Sequence, residues 1–157
     1  MKRYIFHSLE SGPKAIARLL RVFPSDRLDE KLDSNRFTAR EVIAHLADVE
    51  VIHLARLRKA VSEPGYKMVG FDSENQAIEH HYATKEVYHE AEVFESRREI
   101  TLNYLRELTD AQLHTACVAP NGDQIDVLTY AMSIVSHDVY HFEQLTAYLA
   151  NEAALLH

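Results

Sequence analysis

The chain has 157 residues, the size of a single domain with one sizeable core, and its 46% apolar and 26% charged content argues against disorder. The net charge of -7 argues against a nucleic-acid or anionic-membrane partner, since both would repel it. Four Gly and four Pro leave few breakers for a many-stranded sheet, and one cysteine, Cys117, excludes an intramolecular disulfide framework. No charged-then-apolar leader opens the chain and no apolar run reaches membrane-spanning length, so a soluble, cytoplasmic protein is expected.

The sequence predicts one domain over 1–157 with four long helices. The first spans about 3–22, where Ile5, Leu9, Ile16, Leu19 and Leu20 form a helical stripe, and Pro13 inside it predicts a kink or a late start. Residues 25–37 are polar and irregular, with one short helical turn expected near Leu28. The second helix opens on Thr38-Ala39-Arg40-Glu41, a capping box in which hydroxyl and carboxylate each satisfy an orphan backbone donor. Val42, Ile43, Leu46, Val49, Ile52 and Leu57 follow at helical spacing, and Pro64-Gly65 ends the helix by Ser62. The connection 63–75 carries Tyr66, Met68 and Phe71. A short helical piece is possible at 74–81, and the third long helix is expected at about 85–108. Its apolar positions are Val87, Phe94, Ile100, Leu102, Leu105 and Leu108. Asn121-Gly122 signals a tight turn and a small hairpin. Asp126 is the expected N-cap of the fourth helix, which ends near Leu149. An all-α four-helix bundle is the architecture these elements imply.

The last helix contains Ser-His-Asp-Val-Tyr-His, with His137 and His141 four residues apart on one face. With ten histidines, chance alone gives about 0.6 such pairs in a chain of this length, so the spacing is weak by itself. It is nevertheless the spacing at which two imidazoles grip one metal ion. A third ligand has to come from a facing helix at similar depth. His45 and His53 on the second helix both qualify, and periodicity does not separate them. They stand about 12 Å apart along the axis, too far to share one ion. His80, His81 and His89 read as surface residues, and His7, His114 and His157 as background. Asp138 falls within the apolar arc of the fourth helix and needs a partner there. Tyr130 and Tyr148 project on the same line as the histidine pair.

Taken together, "FTAREVIAHLADVE" (37–50), "FESRREITLNYLREL" (94–108), "PNGDQIDVLTYAM" (120–132) and "SHDVYHFEQL" (136–145) resemble the DinB/YfiT-like family over nearly the whole chain. The resemblance implies a four-helix bundle with up-down-down-up connections, often a homodimer. It also implies a divalent metal on three histidines, which carries over to His45, His137 and His141 and leaves His53 in the core or behind the ligands. Three neutral imidazoles keep coordination positions open, which suits a reactive rather than a structural ion. Zinc and nickel both suit such a ligand set. Asp48, Asp138 and Gln144 are candidates to orient the ligand rings. Tyr130, Tyr148, Tyr66 and Phe71 are candidates to line the pocket.

For function, the resemblance implies a small-molecule substrate and a metal-dependent enzyme. The leading expectation is thiol S-transfer from a low-molecular-weight thiol such as bacillithiol or mycothiol. Metal-dependent hydrolysis and a non-enzymatic metal-binding or stress-response bundle are the alternatives.

Overall fold

The Thr38 hydroxyl accepts from Glu41 N at 3.2 Å, while Glu41 Oε2 accepts from Thr38 N at 2.8 Å. This reciprocal cap starts helix α2 (Ala39–Ser62) where the sequence places it. The computed structural model describes residues 1–155. It contains α1 (Lys2–Val22), α2, a short α3 (Ser73–Glu79), α4 (Val87–Glu107) and α5 (Asp110–Leu113). There follow a hairpin of β1 (Ala116–Val118) and β2 (Gln124–Asp126), then α6 (Val127–Ala150). Single 3-10 turns occupy Ser25–Arg27 and Tyr82–Thr84. His157 lies outside the described residues. Among the described residues, no helix is long and apolar enough to cross a membrane.

The hairpin turns at Gly122, whose φ of 93° few side chains tolerate, and Asp126 caps α6 by accepting from Thr129 N at 2.7 Å. α5 was not expected from the sequence. Its signal is a second capping box, with Thr109 and Gln112 bonded reciprocally, on a helix too short to show periodicity.

Two apolar clusters give the helix directions. One gathers the end of α1 (Ile16, Leu20), the start of α2 (Val42, Ile43, Leu46), the start of α4 (Val87, Phe94) and the end of α6 (Leu145, Tyr148). The other gathers Ile5 and Leu9, Leu57 and Ala60, Leu102 and Leu105, and Leu128 and Ile134. α1 and α6 therefore run one way and α2 and α4 the other, an up-down-down-up bundle. α1 and α2 each pack against both α4 and α6. Each fully buried Leu or Ile in these clusters contributes roughly 1.5–3 kcal/mol.

Because α2 and α4 are parallel, residues 63–86 must return along the bundle by roughly 36 Å, the length of a 24-residue helix such as α2. That crossover is pinned in two places. At one end it pairs with the hairpin, Met68 N donating to Val118 O and Val118 N to Tyr66 O, both at 2.9 Å. Further on, Asp48 Oδ2 of α2 accepts from Gln76 Nε2 (2.8 Å), His80 Nδ1 (2.6 Å) and Tyr82 Oη (2.6 Å). Between these anchors the crossover lies over the α2–α6 seam.

A charged layer separates the two clusters. Arg98 of α4 donates through Nε and Nη2 to both oxygens of Glu50 at 2.9 Å, and reaches Asp138 at 2.5 and 3.0 Å. All three side chains are buried. Arg98 Nη1 also donates to Leu9 O at 3.1 Å. Leu9 O is the carbonyl that Pro13, lacking an N–H, leaves without its helical donor. This explains why α1 neither starts late nor ends at Pro13: the freed carbonyl has another donor. Ile100, expected among the apolar positions of the third long helix, lies on the outside.

Candidate metal centre

His45 sits in the second turn of α2, and His137 and His141 lie one turn apart on α6, where these helices face each other. The His137 Nε2 stands 3.1 Å from His45 Nε2 and 3.2 Å from His141 Nε2. One ring nitrogen from each of the three lies within 4.8 Å of the others, and this is the group among the described residues arranged to hold a metal ion. Ligands about 2.0–2.1 Å from one tetrahedral ion lie about 3.3 Å apart, so the observed spacing fits a shared ion.

Hydrogen bonding fixes one tautomer. Tyr148 Oη must donate to the carbonyl of Phe37 (2.9 Å), because that oxygen only accepts. Its lone pair then takes the Gln144 Nε2 hydrogen at 2.9 Å. The Gln144 Oε1 is thereby turned to accept from His141 Nδ1 at 3.0 Å. With its proton on Nδ1, His141 presents a bare Nε2 lone pair to the other two rings. A neighbour that holds a ligating histidine in the right tautomer is a regular part of metal sites.

Burial first, then the neighbouring His137, holds His45 down to about 3. Burial, followed by His141 and Arg98, does the same to His137, also to about 3. Both rings are neutral at pH 7 and offer lone pairs. The Nδ1 atoms of His45 and His137 are buried without a hydrogen-bond partner.

The other expected residues fall elsewhere. Asp48 does not orient a ligand ring: its carboxylate ties down the crossover, and His45 Nδ1 has no partner. Asp138 does not either, because Arg98 holds it. Tyr130 is buried, with its Oη 2.9 Å from His53 Nδ1 and 3.2 Å from Arg56 Nη1. Burial takes His53 well below the ordinary histidine range, and its ring packs 5.6 Å from that of His137. Tyr148 acts through Gln144 instead of lining a pocket. Tyr66 packs with Met68 at the bundle end, beside the hairpin.

Above the histidines lies a cavity of about 300 Å³. Phe37 and Tyr140 line it together with His45, His137, His141 and Gln144. The crossover adds Phe71, Ser73 and Glu74, and the loop before α2 adds Asn35 and Arg36. Of the aromatic candidates, Phe71 alone reaches this cavity. Sequence reasoning missed Arg36 and Glu74, which come from irregular or polar stretches without periodicity, and Tyr140, which lies on α6 between the two ligand histidines.

The profile of the DinB superfamily matches residues 8–145, and the chain belongs to that superfamily. Among solved structures, the chain is similar to YfiT from Bacillus subtilis, with a TM-score of 0.85 at 20% identity over 94% of this chain and 85% of that one. YfiT is described as a probable metal-dependent hydrolase with an unusual four-helix bundle topology. No curated protein matches the chain.

Proposed function

We propose that the chain is a metal-dependent enzyme acting on a small molecule, with one divalent ion, zinc or nickel, held by His45, His137 and His141. The observation that carries this reading is the convergence of three ring nitrogens, one with its lone pair fixed through Gln144, beneath an open cavity. A bound ion there supplies a Lewis acid and lowers the pKa of a coordinated water or thiol. The chain's own residues do the rest. Three neutral imidazoles hold the site without cancelling the ion's charge. Phe37 and Phe71 exclude bulk water from one side of the cavity, and Glu74, exposed on its wall, is the carboxylate available to take a proton.

Hydrolysis is the reading the likeness to YfiT supports. Thiol S-transfer is the second. The cavity is far larger than one water requires, and Cys117 is buried at the other end of the bundle in strand β1 of the hairpin, so the thiol would come from a cosubstrate such as bacillithiol or mycothiol. Metal-loaded protein should be assayed on ester and amide substrates, and on an alkyl halide or epoxide with and without added thiol. Turnover that requires thiol selects transfer, and turnover without it selects hydrolysis. Metal retention with no turnover in either assay would contradict the enzymatic reading.

We also propose that the chain pairs as a homodimer. The apolar groove between α1 and α6, with Ala15, Ile16, Val139 and Phe142, supports this face. Light scattering should give twice the chain mass, and a monomer mass would remove the proposal.

A further inference from the structure

We propose that Arg36 makes the histidine cavity selective for molecules carrying an oxyanion, a carboxylate or a phosphate, which Arg36 binds while the rest of the molecule faces the histidines. The inference deepens the reading of this cavity as a substrate site and rests on it.

Arg36 lies in the loop between α1 and α2, just before the Thr38 cap. Three contacts hold its guanidinium. Nε pairs with Asp33 Oδ2 at 3.2 Å, Nη2 donates to Leu155 O at 2.8 Å, and the group sits 5.7 Å from the centre of the Tyr140 ring. The side chain is only 12% exposed. Nη1 is fully buried and has no hydrogen-bond partner. Arg36 lines the same cavity as His45, His137 and His141.

A guanidinium stays charged at any physiological pH, and a buried donor without an acceptor is destabilising. The buried arginines Arg56 and Arg98 have both Nη groups answered by protein acceptors. Arg98 bonds Glu50 and Asp138, and Arg56 bonds Tyr130 and Val69 O. Arg36 is the arginine with an unanswered buried nitrogen among the described residues. Its other donors are fixed by the protein, so the free nitrogen is held in place before any ligand arrives, which lowers the ordering cost of binding. Nη1 can donate to an oxygen of an anion, and a hydrogen bond between two charged groups is about twice as strong as a neutral one.

The charges around the cavity agree with an anion at this wall. The three imidazoles bring no negative charge. Asp33 offsets part of the guanidinium charge from the Nε side, leaving Nη1 as the end without a protein acceptor. Glu74, the acid lining the cavity, comes from the crossover and not from the Arg36 loop. A ligand with an anionic end is therefore oriented, with that end towards Arg36.

The test titrates glutarate, its dimethyl ester and inorganic phosphate into wild type, Arg36→Gln and Arg36→Lys by calorimetry, each protein in metal-free and metal-loaded form. Metal content is measured in parallel. The proposal expects wild type to bind glutarate or phosphate in both forms, with the tighter of the two identifying the anion class. The ester should bind at least tenfold more weakly. Arg36→Gln should lose at least tenfold in anion affinity, and Arg36→Lys should lose less. Equal affinities of wild type and Arg36→Gln would overturn the proposal, as would equal binding of acid and ester. Anion binding seen only with metal, and unchanged in Arg36→Gln, would mean direct coordination and also overturn it. Because the metal-free arm reads Arg36 alone, a protein that takes up no metal would sink the metalloenzyme reading without deciding this one.

Discussion

Gly12 faces Asp138 so closely that a Cβ at position 12 would stand 2.5 Å from the Asp138 Oδ2. Asp138 cannot move aside freely, since Arg98 binds both of its oxygens. The missing side chain on α1 is what lets the charged layer close. At an open helical position, Gly→Ala gains up to about 1 kcal/mol. Here the sign should reverse. Gly12→Ala is expected to destabilise by about 1–3 kcal/mol, as overpacking does, and to lower Tm by several degrees. Thermal unfolding checks it, and an unchanged or raised Tm would mean that Asp138 relaxes easily.

Gln144 links His141 to Tyr148 and the Phe37 carbonyl. Gln144→Leu keeps the volume but removes the group that fixes the His141 tautomer. The expected result is a loss of about 10–100-fold in metal affinity, in line with other residues that orient metal ligands. A competition titration with a chromophoric chelator measures it, and wild-type affinity would show that the tautomer needs no support.

Acid should weaken the metal-free fold through the same histidines. In the unfolded chain His45 and His137 titrate near 6.5, whereas in the fold they are held down to about 3. Between these values the unfolded state binds more protons, so stability is full above about pH 6.5 and falls as the pH drops towards 3. Denaturant midpoints of metal-free protein at pH 7.5 and pH 5 should therefore differ, with pH 5 lower. Equal midpoints would contradict the burial of these two rings.

The loop 63–75 divides between two roles. Met68 is 5% exposed in the core at the bundle end, whereas Phe71 is 40% exposed and lines the cavity. Met68→Ala should cost about 2–5 kcal/mol, with activity per folded molecule unchanged. Phe71→Ala should leave Tm nearly unchanged, leave metal content intact, and alter substrate affinity or turnover. Wild-type kinetics with reduced stability for Phe71→Ala would remove that residue from the site.

The bundle could be read from the sequence because each long helix carries its own signals. Thr38–Glu41 and Asp126 mark helix starts, Pro64-Gly65 marks an end, and Asn121-Gly122 marks the hairpin. Helix direction was legible only through the family resemblance, since the parallel pair of α2 and α4 depends on contacts between distant segments. The spacing of His137 and His141 was visible, but periodicity left His45 and His53 level, because both lie on the inner side of α2, and the family resemblance made the choice of His45. The structure separates them: His45 meets the α6 pair, while His53 faces Tyr130. Asp48 and Asp138 were misplaced for a common reason. Each lies on α2 or α6 near a ligand, and spacing along one helix cannot reveal a partner such as Gln76, His80, Tyr82 or Arg98 on another element. Arg36 and Glu74 left no periodic trace, because both come from outside the four long helices.

The central claim is that His45, His137 and His141 hold one ion together, and metal content tests it most directly. Protein purified without a histidine tag should contain close to one divalent transition-metal ion per chain by elemental analysis. His141→Ala, folded by its thermal transition, should contain far less, because losing a ligand should cost more than the 10–100-fold typical of a supporting residue. Equal metal content in wild type and His141→Ala would contradict the account.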